Sequence, residues 1–78
     1  MNLRKITDIK VLPGFLLSVL FDNGIRKTVD CKPYFKFPVF EALKAEHAFE
    51  KVHNGGYFIE WPAYEIDLSS DTLWSDVK

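Results

Sequence analysis

From Phe15 to Phe21 every position except Ser18 is apolar, in the order Phe-Leu-Leu-Ser-Val-Leu-Phe. A run this short, bounded by turn formers, has the length of a strand rather than a helix. Ile25–Asp30 predicts a second strand, and Ile6–Leu12 alternates weakly, with Ile9 and Val11 on one face. Pro13-Gly14 marks a turn between the first two segments, because proline presets φ and glycine accepts a positive value. Asp22-Asn23-Gly24 marks the next.

Side-chain parity chooses the register. A two-residue Asn-Gly loop pairs Phe21 with Arg26, which puts Ile25 and Val29 on the face opposite Phe15, Leu17, Val19 and Phe21. A three-residue loop with Gly24 in the left-handed conformation pairs Phe21 with Ile25 and Leu17 with Val29. All six apolar residues then share a face, with Lys27 the single exception. A one-residue slip inverts a strand's faces, so burial selects the three-residue form. The same parity at Pro13-Gly14 favours an odd loop that pairs Val11 with Leu17 and Ile9 with Val19. The result is an antiparallel meander with one strongly apolar side. The other side carries Leu16, Ser18, Leu20, Arg26, Thr28 and Asp30, is half polar, and is left to solvent or to an interface.

Pro38 suits the first turn of a helix, and Val39, Phe40 and Leu43 follow on one stripe. That pattern loses phase near Ala45-Glu46 and resumes at Ala48, Phe49 and Val52, which predicts two short helical turns. Asn54-Gly55-Gly56 reads as a hairpin turn, followed by a strand over Tyr57–Trp61 with Tyr57, Ile59 and Trp61 on one face. Pro62 ends that strand or places it at an edge, and Ala63–Leu68 is irregular or a short strand. Ser69 is an N-cap for a terminal helical turn, with Asp71 facing the positive end of the dipole and Leu73 and Trp74 as anchors. The expected fold is a single α+β domain over residues 1–78. It comprises a three-stranded antiparallel N-terminal meander, short helical turns, a further strand or hairpin and a short C-terminal helix.

Composition narrows the function. The 78 residues are 47% hydrophobic, 27% charged and 15% aromatic, which is globular and large enough for one domain only. No apolar run approaches the ~20 residues that cross a bilayer. Met1-Asn2-Leu3-Arg4-Lys5 has no apolar stretch of a secretory signal. Cys31 is the only cysteine, which excludes an intrachain disulfide and a multi-cysteine metal site, and a cytoplasmic location is expected. A core this small makes dimerisation a plausible further source of stability. The net charge of −1 divides into +4 over residues 1–36 and −5 over residues 37–78, an asymmetry that folding the halves together interleaves.

Catalytic constellations are thin. Cys31 with His47 or His53 could form a thiol–imidazole pair, but nothing marks an activated thiol, and packing is the simpler role for a lone cysteine. His47 and His53 lie six apart, not at the i, i+4 spacing that puts two imidazoles on one metal. Gly55-Gly56 lacks the following Lys-Ser/Thr and helix of a phosphate loop. Glu60, Glu65, Asp67 and Asp71 read as solvated charge and capping. No catalytic residue, metal or cofactor is expected. The best binding feature is Lys32, Tyr34, Phe35, Lys36 and Phe37, since aromatics stack bases while lysines neutralise phosphates. Pro33 and Pro38 bracket the stretch, and aromatics so placed also fold onto a sheet as core.

The order of signals, ending in Gly55-Gly56-x-x-Ile59-x-Trp61-Pro62 and Asp67-Leu68-x-x-Asp71-x-Leu73, resembles the bacterial domain-of-unknown-function family 2442 from about Lys5 to Trp74. The resemblance implies a small α+β fold with no established catalytic activity and no agreed functional residues. Some members carry an appended helix-turn-helix domain, for which a chain ending at Lys78 has no room. Others look like stand-alone partners of a second small protein, similar to toxin–antitoxin pairs. The expected function is therefore a non-enzymatic module that binds another small protein, antitoxin-like, or a second copy of itself. Nucleic-acid binding through Lys32–Phe37 is the alternative, and a small Cys31/histidine hydrolase ranks last.

Overall fold

A computed structural model of the chain describes residues 4–45 and 47–76. Three strands, β1 (Ile6–Leu12), β2 (Leu16–Phe21) and β3 (Arg26–Asp30), form an antiparallel sheet in that order. Short 3₁₀ turns follow over Lys32–Lys36, Pro38–Lys44 and Phe49–Lys51. A second antiparallel sheet, β4 (His53–Asn54), β5 (Phe58–Trp61) and β6 (Ile66–Ser69), leads into α1 (Ser70–Asp76). The fold is α+β, as the sequence predicts.

Both parity arguments hold. Ile9 pairs with Val19 and Val11 with Leu17, while Leu17 pairs with Val29 across the other hairpin. Gly24 is left-handed at φ 84°, the Phe21 amide donates to the Ile25 carbonyl at 2.9 Å, and the Gly24 amide donates to Phe21 at 3.0 Å. Asn23 Oδ1 accepts the Ile25 amide at 3.0 Å, closing the three-residue turn. The first hairpin also has three loop residues, because β2 starts at Leu16 rather than Phe15. Phe15 is left-handed at φ 62°, a conformation that costs an L-residue about 1–2 kcal/mol. Its ring meets Phe35 and Phe49 edge-on at 4.9 and 5.4 Å, contacts that offset this strain.

Sharing a face is not the same as being covered. Leu17, Val19, Phe21 and Val29 are buried, but Ile25, expected with them, lies ahead of β3 and stays 46% exposed. Val11 is exposed at the opposite end of the sheet. Ile6 joins the core instead. A bulge at Thr7 shifts the pairing from Ile6–Phe21 to Asp8–Leu20, so Ile6 and Ile9 face the same way despite their odd separation.

The Pro38–Lys44 turn has a period near three, which aligns Phe40 with Leu43 and turns Val39 outward. The expected Val39–Phe40–Leu43 stripe, drawn for an α-helix, thus loses its first member. Tyr57 precedes β5 and is 51% exposed, so the buried alternation is Ile59 and Trp61 alone. At Gly55 a side chain would run into the Phe58 ring, which explains why glycine stands there. Two hydrogen bonds stitch the sheets together, from the Ile6 amide to Gly56 at 2.6 Å and from Asn54 Nδ2 to Ile6 at 3.0 Å. On the other side α1 packs on β6 and β3. Between them Trp61 donates its buried Nε1–H to the Phe49 carbonyl at 2.9 Å, and Leu73 is fully buried.

Ser69 caps α1 as expected, its Oγ accepting the Thr72 amide at 3.1 Å. Ser69→Ala should lower the unfolding free energy by about 1 kcal/mol. Leu17→Ala, which empties a fully buried site, should cost about 2–5 kcal/mol. Urea titration of both variants against the wild type checks the ranking.

Candidate functional site

The stretch from Lys32 to Phe37 is positioned by the end of β3. Asp30 Oδ1 accepts the Lys32 amide and pairs with Lys32 Nζ, both at 3.0 Å, while the same ammonium donates to the Gly14 carbonyl at 3.1 Å. Lys32 is therefore committed to holding the 3₁₀ turn against the first hairpin. Tyr34 stacks on Phe40 with centroids 5.4 Å apart, and Phe35 packs edge-on against Phe15. Both are half-buried and lie against the core. Phe37 breaks the pattern at 48% exposure, with Lys36 Nζ 5.3 Å from its ring. Beyond Pro38, Val39 is 56% exposed. The five residues thus divide: Tyr34 and Phe35 join the core, Lys32 is tied down, and Lys36 and Phe37 remain at the surface beside Val39.

The thiol–histidine reading meets a buried sulfur. Cys31 is 2% exposed, within the cluster of Leu17, Val29 and Leu43, so its thiol has little access to a substrate. His53 is exposed on β4, opposite Glu60. His47 is exposed and left-handed at φ 64°, its Nδ1 3.2 Å from Glu50 Oε2. Among the described residues no group of three His, Cys, Asp or Glu side chains could hold a metal. Gly55 and Gly56 form the β4–β5 turn, with the Gly56 amide donating to Asn54 Oδ1 at 2.8 Å. Glu60 and Asp67 are cross-strand neighbours, whereas Glu65 sits in the left-handed link before β6 and Asp71 in the first turn of α1. A depression of about 240 Å³ opens between the first hairpin and the 44–50 segment, with Phe15, Phe49, Lys44 and His47 in its wall. That volume is below the ~300 Å³ where small-molecule sites begin.

The outer face of the first sheet is less open than its sequence suggests. Arg26 reaches across β2, donating from Nη1 to Ser18 Oγ at 2.8 Å and from Nη2 to Asp8 Oδ2 at 2.9 Å. Ser18 is buried beneath it, and Leu16 and Leu20 are half-buried. The Arg26 hydrogen bond holds the Asp8 carboxyl below the usual aspartate range. Asp30 is lowered first by the Lys32 amide and then by the Lys32 side chain.

One feature escaped sequence reasoning. Lys27, the lone charge on the apolar face of β3, places its ammonium 3.8 Å from the centroid of the Trp74 ring, and the Arg4 guanidinium carbon lies 3.8 Å from it as well. Phe21 meets the same ring edge-on at 5.1 Å. The two cations fasten α1 and stand close to its C-terminal turn, which has no basic residue of its own. A charge at a core-facing strand position, in a chain with a tryptophan near its end, is the signal that pointed there.

The sequence profile described as "Protein of unknown function (DUF2442)" matches residues 6–78. The chain belongs to this family. No curated protein and no solved structure matches it. In this DUF2442 chain the tryptophan-proline signature is structural: Trp61 anchors the core through the Phe49 carbonyl, and Pro62 opens the 3₁₀ turn that ends β5.

Asp8 and Asp30 generate a pH prediction. Their folded-state pKa values are depressed, so the stability they contribute is present above the unfolded value of about 3.9 and is lost as pH falls through the folded values. Carboxyl-detected NMR titration should find both titrating below the usual aspartate range, and Arg26→Gln should return Asp8 toward it.

Proposed function

We propose that this DUF2442 chain is a non-catalytic module that docks on another small protein through the exposed Phe37–Val39 rim. What supports the reading most is the exposure of two apolar side chains on either side of Pro38, while Tyr34, Phe35 and Phe40 of the same two turns are packed. A rigid turn that lifts apolar groups into water beside packed neighbours suits a protein contact, since ordering costs little on binding. The fold offers little for catalysis in its support: the thiol is buried and the depression beside the first hairpin is small. An antitoxin-like role, in which the partner is neutralised by binding, is the finer form of the proposal and rests on the family's resemblance to paired small proteins.

Nucleic-acid binding through the same stretch has less in its favour. It needs several free ring faces, and Phe37 is the one ring of the three that stands exposed. The test is co-purification of the tagged chain from its native host at native expression. Wild type should recover a stoichiometric small-protein partner, and Phe37→Ser with Val39→Ser should lose it while far-UV circular dichroism stays unchanged. Repeated recovery of the chain alone overturns the proposal. Retention of nucleic acid that falls steeply with salt favours the alternative.

A further inference from the structure

The first sheet has a free edge at β3. The hydrogen bonds flanking this strand, Phe21 to Ile25 at 2.9 Å and Cys31 to Phe15 at 3.0 Å, set the phase of its main chain. Lys27 and Val29 therefore bond toward β2, and the amides and carbonyls of Arg26, Thr28 and Asp30 point away from the sheet. Among the described residues no other element takes up these outward groups, and all three residues are exposed. Helix α1 approaches β3 from the core side, where Lys27 lies on Trp74, and so leaves the edge uncovered.

We infer that the occupant of this edge is a second copy of the chain, paired antiparallel through β3 about a two-fold axis at Thr28. The argument is charge complementarity in register. With Thr28 opposite its symmetry mate, Arg26 faces Asp30 of the other copy and Asp30 faces Arg26, so one strand supplies both halves of two ion pairs. Competing registers lack this match: centring on Arg26, Lys27 or Asp30 sets like charges opposite each other, which is destabilising in a sheet. Centring on Val29 leaves Asp30 facing Thr28. The groups needed are available, since among the described residues Asp30 bonds through Oδ1 alone and Arg26 through its two terminal nitrogens. Its Nε–H and the second Asp30 oxygen remain to meet across the axis. Each of the three outward residue pairs adds two main-chain hydrogen bonds, and the sheets of two copies become one six-stranded sheet. This surface shares no residue with the Phe37–Val39 rim, so self-pairing and partner binding are tested by different variants. An edge-to-edge contact buries little area, which places the dimer among weak, concentration-dependent associations.

Sedimentation equilibrium over a concentration series reads the association directly. Wild type should move from monomer to dimer as concentration rises. Thr28→Pro removes an outward amide that the β2 ladder does not use, and should leave a monomer with unchanged circular dichroism. Asp30→Lys sets a lysine against Arg26 of the other copy at both ends of the pairing and should weaken the dimer about tenfold. Adding Arg26→Asp to it restores both pairs in reversed order and should recover the association, a result that a merely damaged fold does not give. Wild type that stays monomeric throughout overturns the inference, as does a dimer indifferent to Thr28→Pro and to the charge exchange.

Discussion

The strand β2 is bound by parity to both of its neighbours, and the rest of the molecule depends on that constraint. Two hairpins with three-residue loops place Leu17, Val19 and Phe21 over Val29 on one side and Ile9 on the other, all facing the second sheet and α1. A slip of one residue would turn the whole set into water. Each such side chain is worth about 1.5–3 kcal/mol when buried, and a domain of this size has only about 5–15 kcal/mol in total. Wrong registers are therefore excluded by burial, and the turn residues make the right one reachable: Gly24 adopts the left-handed conformation freely, and Phe15 is held there by two aromatic neighbours.

Charge is handled by placing it across the same framework. Arg26 lies over the outer face and links β1 to β3 above Ser18, and Lys27 extends on the inner face to the Trp74 ring. Adjacent residues of one strand thus serve opposite sides of the sheet. The inner one costs little because its aliphatic stem is covered while its ammonium finds an aromatic face. This arrangement ties the last helix to the first sheet and closes the core on the side that the two stitching hydrogen bonds at Ile6 leave open.

The candidate site was legible as a stretch but not as a surface. Spacing of lysines and aromatics marked Lys32–Phe37, and the two prolines indicated its limits. Which ring is packed and which is offered to a partner depends on the phase of two consecutive 3₁₀ turns. A period near three sends Phe40 and Leu43 inward and leaves Phe37 and Val39 outside, whereas an α-helical reading groups Val39 with the core. The half-polar outer face looked more open than it is for a related reason: the reach of Arg26 over Ser18 is a property of a long side chain, not of the alternation pattern.

Local signals determined a good deal by themselves: the three strands of the first sheet and β5, both odd-loop hairpins, the Ser69 cap, the Pro62 stop and the burial of Trp61. Each follows from backbone preference or from period-two parity, which act over a few residues and are written in adjacent positions. Tertiary structure alone decided the bulge that turns Ile6 inward, the exposure of Ile25 and Tyr57, the cation-faced Trp74 and the division of the aromatic stretch. These depend on what lies over a residue once distant segments meet. Covering is a long-range contact, and an alternating pattern specifies only the side from which cover must come.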